Sequence, residues 1–357
     1  MSASTISTDL GTVGLAGRVR GCPGLIAALG VVALLVLLVA GVSLGSVRID
    51  PGDTVGVILW RLLGIDTGHA WTAATETIVW DLRVPRVLTA MLVGAGLAVA
   101  GATLQGVVRN PLADPYILGT ASGAALGAAI GVLVPVHLVM VEFGVVNGLA
   151  FAGALLTAYL VLRVGGAGTA GLTRLLLTGY AVSSVLAALL TMIMYLSGSN
   201  LREIFSFLLG GLGGASWSRL AVAAPLILGA TVVVGLRSRS LDGFLLGDAT
   251  AVHLGFDVRR ERRILLAAAS LATAAAVAIS GLIGFVGLVV PHVVRMMVGP
   301  SARLVLPLSA LGGAILLVFA DLAARMLGEI PVGVVTAVIG APFFLLLLRR
   351  VRAGYEL

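Results

Sequence analysis

Stretches of near-continuous apolar residues, each long enough to cross a bilayer, recur along almost the whole of this chain. Leu25–Leu44 and Val305–Leu322 are the plainest, and neither alternates with a period of two. In hydrocarbon every backbone polar group needs an internal partner, so a spanning segment is a helix or a strand of a closed barrel. The missing alternation selects helices. Apolar residues make up 59% of the chain and charged residues 11%, against about half and a quarter in a soluble domain. The chain therefore reads as an all-α polytopic membrane protein. About twenty residues cross a bilayer core, so a chain of this length holds about ten transmembrane helices with short connections.

The expected spans are Gly24–Leu44, Val87–Val108, Pro115–Val134, Leu138–Leu162, Leu175–Leu196, Leu220–Leu236, Ile264–Ile283, Phe285–Val298, Leu304–Leu322 and Val332–Leu348. The eighth is short and carries Pro291, His292 and Arg295. Residues 1–23 read as a disordered polar tail, 24–350 as one transmembrane domain, and 351–357 as a C-terminal tail. All 23 basic residues are arginine. With the N-terminus inside, seven fall on outer segments (Arg48, Arg61, Arg83, Arg86, Arg202, Arg219 and Arg325) and the other sixteen inside. That bias follows the positive-inside rule and puts both termini in the cytoplasm.

The absence of lysine has a firm consequence. A G-x-x-x-x-G-K-[ST] loop needs its lysine on the nucleotide phosphates, so this chain does not hydrolyse ATP by that route. The net charge of +7 suits the inner face of a membrane, and the arginines are scattered at helix ends, which argues against nucleic acid. Cys22 is the single cysteine, so no internal disulfide forms; it does not cluster with the four histidines, and no metal site or cofactor is expected in this chain. No nucleophile–base constellation points to an enzyme. An ion-coupled secondary transporter, the alternative reading, holds ionisable groups near the midplane. Here Asp114, Glu142, Asp321 and Glu329 lie near span ends instead.

Three connections carry structure of their own. Asp53 is expected to cap a helix with Val55, Ile58, Leu59, Leu62 and Leu63 on one face, ending at Gly64. Asn200 with Glu203 resembles a capping box, followed by an apolar face through Leu209 and a stop at Gly210. Both fit helices lying in the interface and equally helices packed on neighbouring spans. The largest inner connection, Arg237–Arg263, is too polar to insert, yet keeps Leu245, Leu246, Ala249, Val252 and Leu254 between Gly247 and Gly255 or beside them. Docking surface and solvated connector are both open readings. An internal echo runs from Arg86 to Asn110-Pro111 and from Arg263 to Val290-Pro291, in opposite directions, as in an inverted repeat.

The most specific text is Arg83-Val84-Pro85-Arg86, then Gly94, Gly96, Gly101, Gln105 and Arg109-Asn110-Pro111-Leu112-Ala113-Asp114-Pro115, followed by Leu118-Gly119 and Ser122-Gly123-Ala124. Gly281 to Pro291 with His292 and Arg295 forms a second block, and Asp321, Ala324-Arg325, Pro331 to Val334 and Gly340-Ala341-Pro342 a third. In this order, across about Leu25 to Arg350, they resemble the FecCD family, the membrane permeases of ATP-driven importers for iron–siderophore complexes, haem and cobalamin.

The resemblance implies the type II ABC importer permease fold, ten helices per subunit, in a homodimer or a pair with a close paralogue in a bacterial inner membrane. It implies cytoplasmic ATPase subunits that bind ATP and magnesium, and an extracytoplasmic substrate-binding protein. In this likeness Arg83, Arg86 and Arg325 meet carboxylates of the binding protein, though pairing with Asp81 and Asp321 fits them as well. Gly247, Asp248, Ala251, Leu254 and Gly255 match the loop that seats in the ATPase, where Asp248 is suited to capping a short helix. Asn110, Pro111 and Leu112, with Leu172 and Thr173 in the loop before the fifth span, match an inner gate, and are compatible with a structural turn. Gly94, Gly96 and Gly101 read as close-packing positions between helices.

Overall fold

The computed structural model of the protein describes residues 22–45, 47, 49–66, 68, 71–134, 144–166 and 171–353. Among these every regular element is helical. The first half of the chain runs through α1 (Pro23–Ser43), α2 (Pro51–Leu63), α3 (Ala73–Glu76), α4 (Val84–Val108), α5 (Thr120–Leu133), α6 (Val145–Gly165) and α7 (Gly171–Leu196). The second half adds α8 (Leu201–Leu209), α9 (Trp217–Leu236), α10 (Ser238–Leu245), α11 (Asp248–His253), α12 (Val258–Ser280), α13 (Val286–Val298), α14 (Ala302–Met326) and α15 (Val332–Ala353). A π-helical turn, Thr77–Arg83, joins α3 to α4 without a break.

Each of the ten expected spans overlaps a helix among the described residues, and the start of the fourth, 138–143, lies outside them. Seven of the helices are long and apolar enough to cross a membrane, and α5, α13 and Val332–Leu346 of α15 are shorter apolar stretches. Thirteen residues rise only about 20 Å, so α13 covers part of the depth. The non-helical Gly281–Phe285 segment precedes it. Such backbone is tolerated at membrane depth where protein covers it: Gly211 N–H donates to Ser280 O (2.8 Å), Leu282 N–H to Phe207 O (3.2 Å), and Ile283 N–H to the Tyr116 hydroxyl (3.2 Å).

Helix α4 is the hub, packed against α9, α12, α13 and α14. The helix running into it from α3 is 83% buried over its most apolar stretch, whereas α7 is 6% buried over its own. Lipid tails are as apolar as leucine, so close packing rather than water exclusion must join these helices. The glycines of α4 show how. A Cβ at Gly94 would overlap the Gly313 carbonyl of α14, and one at Gly101 would overlap the Gly287 carbonyl of α13. Gly96 faces Ile227 of α9. These are close-packing positions, as the sequence led us to expect.

The details depart from expectation in four places. Helix α2 starts at Pro51, whose fixed φ suits a first helical position, so Asp50 is its cap, with the carboxylate accepting from Gly52 N–H at 2.7 Å; Asp53 sits inside the first turn. Asn200 makes no capping bond, because a 3-10 turn (Gly198–Asn200) holds its backbone helical where a cap needs an extended one. Gly171–Thr173 form the first turn of α7 rather than a loop. Helix α15 continues to Ala353, past Leu348, the expected end of the tenth span. The expected N-terminal tail through residue 21, Glu142, Arg48 and residues 354–357 lie outside the described residues.

Candidate functional site

Charged side chains gather at the two ends of the bundle. At the end the arginine bias assigns to the outside, α1 finishes against the start of α4. Arg83 Nη1 donates to Val42 O and Ser43 O, both at 2.8 Å, and Nη2 to Val47 O. Arg325 Nη1 donates to Leu44 O at 3.1 Å. Two guanidinium groups thus satisfy the carbonyls that a helix C-terminus leaves open, and their charge complements its dipole. Asp321, fully enclosed, takes Arg86 Nε at 2.8 Å on one oxygen and lies 3.1 Å from Arg325 Nε on the other. Arg86 also reaches the half-exposed Glu329 at 3.0 Å.

The three arginines therefore converge, as the sequence motifs suggested they belong together. They line one cleft with Gly45, Val47, Ile78, Leu82, Gly213, Ala215 and Glu329. Arg83 and Arg325 are nearly buried, at 6% and 5% exposure, so their first physical task is to hold the outer ends of α1, α4 and α14 together. The local pairing of Arg325 with Asp321 exists, while the Arg83 hydrogen bonds run to backbone carbonyls instead of Asp81.

At the opposite end α4 stops at Val108, and Arg109 takes a left-handed backbone with φ +54°. Asn110 then closes a tight turn: its N–H donates to Gln105 O (3.2 Å), its Oδ1 accepts from Leu112 N–H (2.9 Å) and its O from Ala113 N–H (3.1 Å). Pro111 is exposed at the tip. Asp114 caps the short 3-10 helix Pro115–Leu118 through Tyr116 N–H at 2.8 Å. Pro115 then returns against α13, where a Cβ at Gly287 would lie 2.5 Å from its ring. Thr173 is exposed in the first turn of α7. That helix meets this segment about two turns further on, where Gly179 lies against Ile117 O.

The connection 237–263 folds into α10 and α11, a helical pair packed on α4, α12 and α14. Gly247 and Gly255 bracket α11 with φ of +105° and +85°, conformations open to glycine at little cost. Ala251 is buried, and Leu246, Val252 and Leu254 are exposed. Asp248 departs from the expected role. It makes no cap on α11; its carboxylate instead takes Arg262 Nη2 at 3.0 Å on each oxygen, and Arg109 Nη2. Arg262 is fully buried, with its guanidinium 5.4 Å from the Phe244 ring centre. A buried arginine draws the nearest carboxylate more strongly than an exposed backbone N–H does.

Sequence reasoning missed the burial of Arg262 and Glu261 and the pairing of Arg262 with Asp248. The run Arg259–Arg263 reads as a solvated face, yet Val258, Glu261, Arg262, Leu265, Leu266 and Ala269 are all buried. Their i, i+3, i+4, i+7 spacing continues the core stripe of α12 into the charged run, and that periodicity was the available signal. Glu261 receives Ser240 Oγ at 2.8 Å and Arg237 Nη1, and Asp242 receives Ala302 N–H at 2.6 Å. Within the bundle Arg295 donates to Ala102 O (2.9 Å) and Gln105 Oε1, while Gln105 Nε2 donates to Leu288 O at 3.1 Å.

Comparison with known proteins points one way. The family model of the FecCD transport family matches residues 33–350. The cobalamin import system permease protein BtuC of Halobacterium salinarum is 40% identical over 328 residues, 87% of this chain and 88% of that one. The hemin transport system permease protein HmuU of Yersinia pestis is 39% identical, with 85% and 98% covered. The Fe(3+)-citrate import system permease protein YfmE of Bacillus subtilis is 37% identical, with 89% and 92% covered. Among solved structures, an inward-facing metal-chelate type ABC transporter superposes with a TM-score of 0.79 at 28% identity, covering 92% of this chain and 99% of its own.

Proposed function

The chain belongs to the FecCD transport family, and we propose from that premise that it is the membrane-spanning permease subunit of an ATP-binding-cassette importer for a ferric siderophore, haem or cobalamin. The observation that carries this is the continuous match, 33–350 in sequence and 99% of the related transporter in structure. A permease makes and breaks no bonds. With no lysine in the chain for a phosphate-binding loop, ATP and magnesium belong to a partner ATPase.

The two charged ends give that partnership its surfaces. Leu246, Val252 and Leu254 stand exposed on the α10–α11 pair, at 66%, 60% and 57%, an apolar patch on an otherwise polar connection and the seat for the ATPase. At the outer end, carboxylates of a substrate-binding protein exchange with Glu329 for Arg86, setting orientation and association rate; Arg83 and Arg325 supply the field behind it. The poorly buried α7 faces a second copy or a close paralogue across the translocation path. Both termini are cytoplasmic on the arginine bias, and on the family likeness the membrane is the bacterial inner one. Asn110, Pro111 and Leu112 with Leu172 and Thr173 form the inner gate. Ferric siderophore ranks first among the ligands.

Purification of the tagged chain in gentle detergent tests this. The expected result is a co-purifying soluble ATPase, with a mass near two copies of each subunit. A chain that purifies alone and transports under a proton gradient without ATP would overturn the importer reading and make the span-end acids the site to study.

A further inference from the structure

We infer that Asp248 and Arg109 form the link that ties the ATPase-facing helix α11 to the Asn110–Pro111 turn, so that displacement of α11 moves the inner end of α4 directly. This rests on the importer reading and adds the residues that transmit the motion.

Three observations converge on it. First, one carboxylate is shared between elements distant in sequence: Asp248 opens α11, Arg262 lies in the first turn and a half of α12, and Arg109 ends α4. The Arg262 guanidinium is fully buried and meets both Asp248 oxygens at 3.0 Å. It anchors Asp248, which leaves the partly exposed Arg109 side chain, at 36%, as the exchangeable arm. Second, Arg109 is one of three non-glycine residues with positive φ among those described. An L-residue is disfavoured there and glycine is the default helix terminator. Arg109 therefore bears a backbone penalty at the position whose side chain reaches Asp248. Third, the turn it begins is stiff, held by the three Asn110 hydrogen bonds, and continues into Pro115, which presses on Gly287 of α13. A pull on Arg109 has no slack segment in which to dissipate before it reaches the α4–α13 crossing.

Charge-assisted pairs of this kind are among the stronger polar contacts and are directional. They suit a linkage that must survive cycles of movement while one arm stays replaceable. Asp248 and Arg109 are positioning residues here, acting through α11 and the Asn110 turn.

The test uses the complete transporter, the chain with its co-purifying ATPase and binding protein, in nanodiscs. Phosphate release is measured with and without the binding protein, alongside thermal stability and subunit stoichiometry. Arg109→Gly is the informative variant, because it removes the side chain and relieves the backbone at once. Loss of a merely structural arginine would register in stability and leave the response to the binding protein normal. We expect unchanged or raised stability, normal ATPase stoichiometry, and a stimulation by the binding protein reduced about tenfold, the factor one charge-assisted bond supplies. Arg109→Lys, which keeps the charge, should retain most of the response. Full stimulation in Arg109→Gly would overturn the link, as would equal loss in Arg109→Lys and Arg109→Gly. If no ATPase assembles with the wild-type chain, the importer reading falls and the link with it.

Discussion

Adding one methyl group at Gly101 probes the contact on which the bundle turns. A Cβ there would overlap the Gly287 carbonyl, with the Gly287 carbon and Cα close behind it, so no side chain can swing aside to make room. The carbonyl itself is in an unusual position. Pro291 stands four residues on inside α13 and has no N–H to offer it, so Gly287 O has no helical donor and lies against the Gly101 Cα. The added carbon would lie 1.7 Å from that oxygen and ordinary contact needs about 3.5 Å, so the helices must separate by about 2 Å, a gap that forfeits more than about half the dispersion along the seam. Overpacking of this kind costs about 1–3 kcal/mol. The same separation stretches the Gln105–Leu288 and Arg295–Gln105 bonds across the seam, each worth about 1 kcal/mol. Gly101→Ala should therefore lose roughly 3–5 kcal/mol. The control is Gly229→Ala in the interior of α9, where a Cβ meets nothing within 4 Å; it should gain about 0.5–1 kcal/mol. Reversible unfolding in detergent, followed by tryptophan fluorescence or thermal size-exclusion, reads both. If Gly101→Ala were as stable as Gly229→Ala, α4 and α13 would not cross at these glycines and the hub description would be wrong.

At the outer end, Asp321→Asn should destabilise by about 3–5 kcal/mol by leaving Arg86 and Arg325 enclosed without their shared carboxylate, while Glu329→Gln should cost under about 1 kcal/mol; thermal unfolding of the two side by side decides it. In surface plasmon resonance against the binding protein, Glu329→Gln should speed association and Arg86→Gln slow it, each less so at high salt. Changes of the same sign in both would remove Arg86 from docking. Gly255→Val should strain a residue held at φ +85° by about 1–2 kcal/mol and uncouple ATP hydrolysis from ligand uptake; an unaltered ratio of ATP hydrolysed to ligand taken up would take that turn out of the mechanism.

The spans are legible in the sequence because the requirement behind them is local. Each crossing segment must satisfy its own backbone and carry some twenty apolar residues, and both leave a continuous signature in the chain. The close-packing role of Gly94 and Gly101 is legible for the same reason, since small residues in a span have little else to do. Helix caps are less so: Asp50 displaces Asp53 because Pro51 sets the start of α2 earlier, and Asn200 is held helical by the 3-10 turn it closes. The fate of the charges is not legible at all from composition. Whether an arginine at a helix end faces water or caps a neighbour depends on which helix ends beside it, and only the packing of α1 on α4 and α14 puts Val42, Ser43 and Leu44 carbonyls before Arg83 and Arg325. Asp248 shows the rule most plainly. Its local text is that of a helix cap, and it becomes an ion-pair partner because folding buries Arg262, from a different helix, within 3.0 Å of it. Helices follow from bonds between near neighbours in the chain. Ion pairs such as Arg262–Asp248 and Arg86–Asp321 follow from contacts between elements distant in it, and no pattern along one segment encodes where the other will lie; the i, i+4 pair Asp321–Arg325 is the local exception that the sequence does carry.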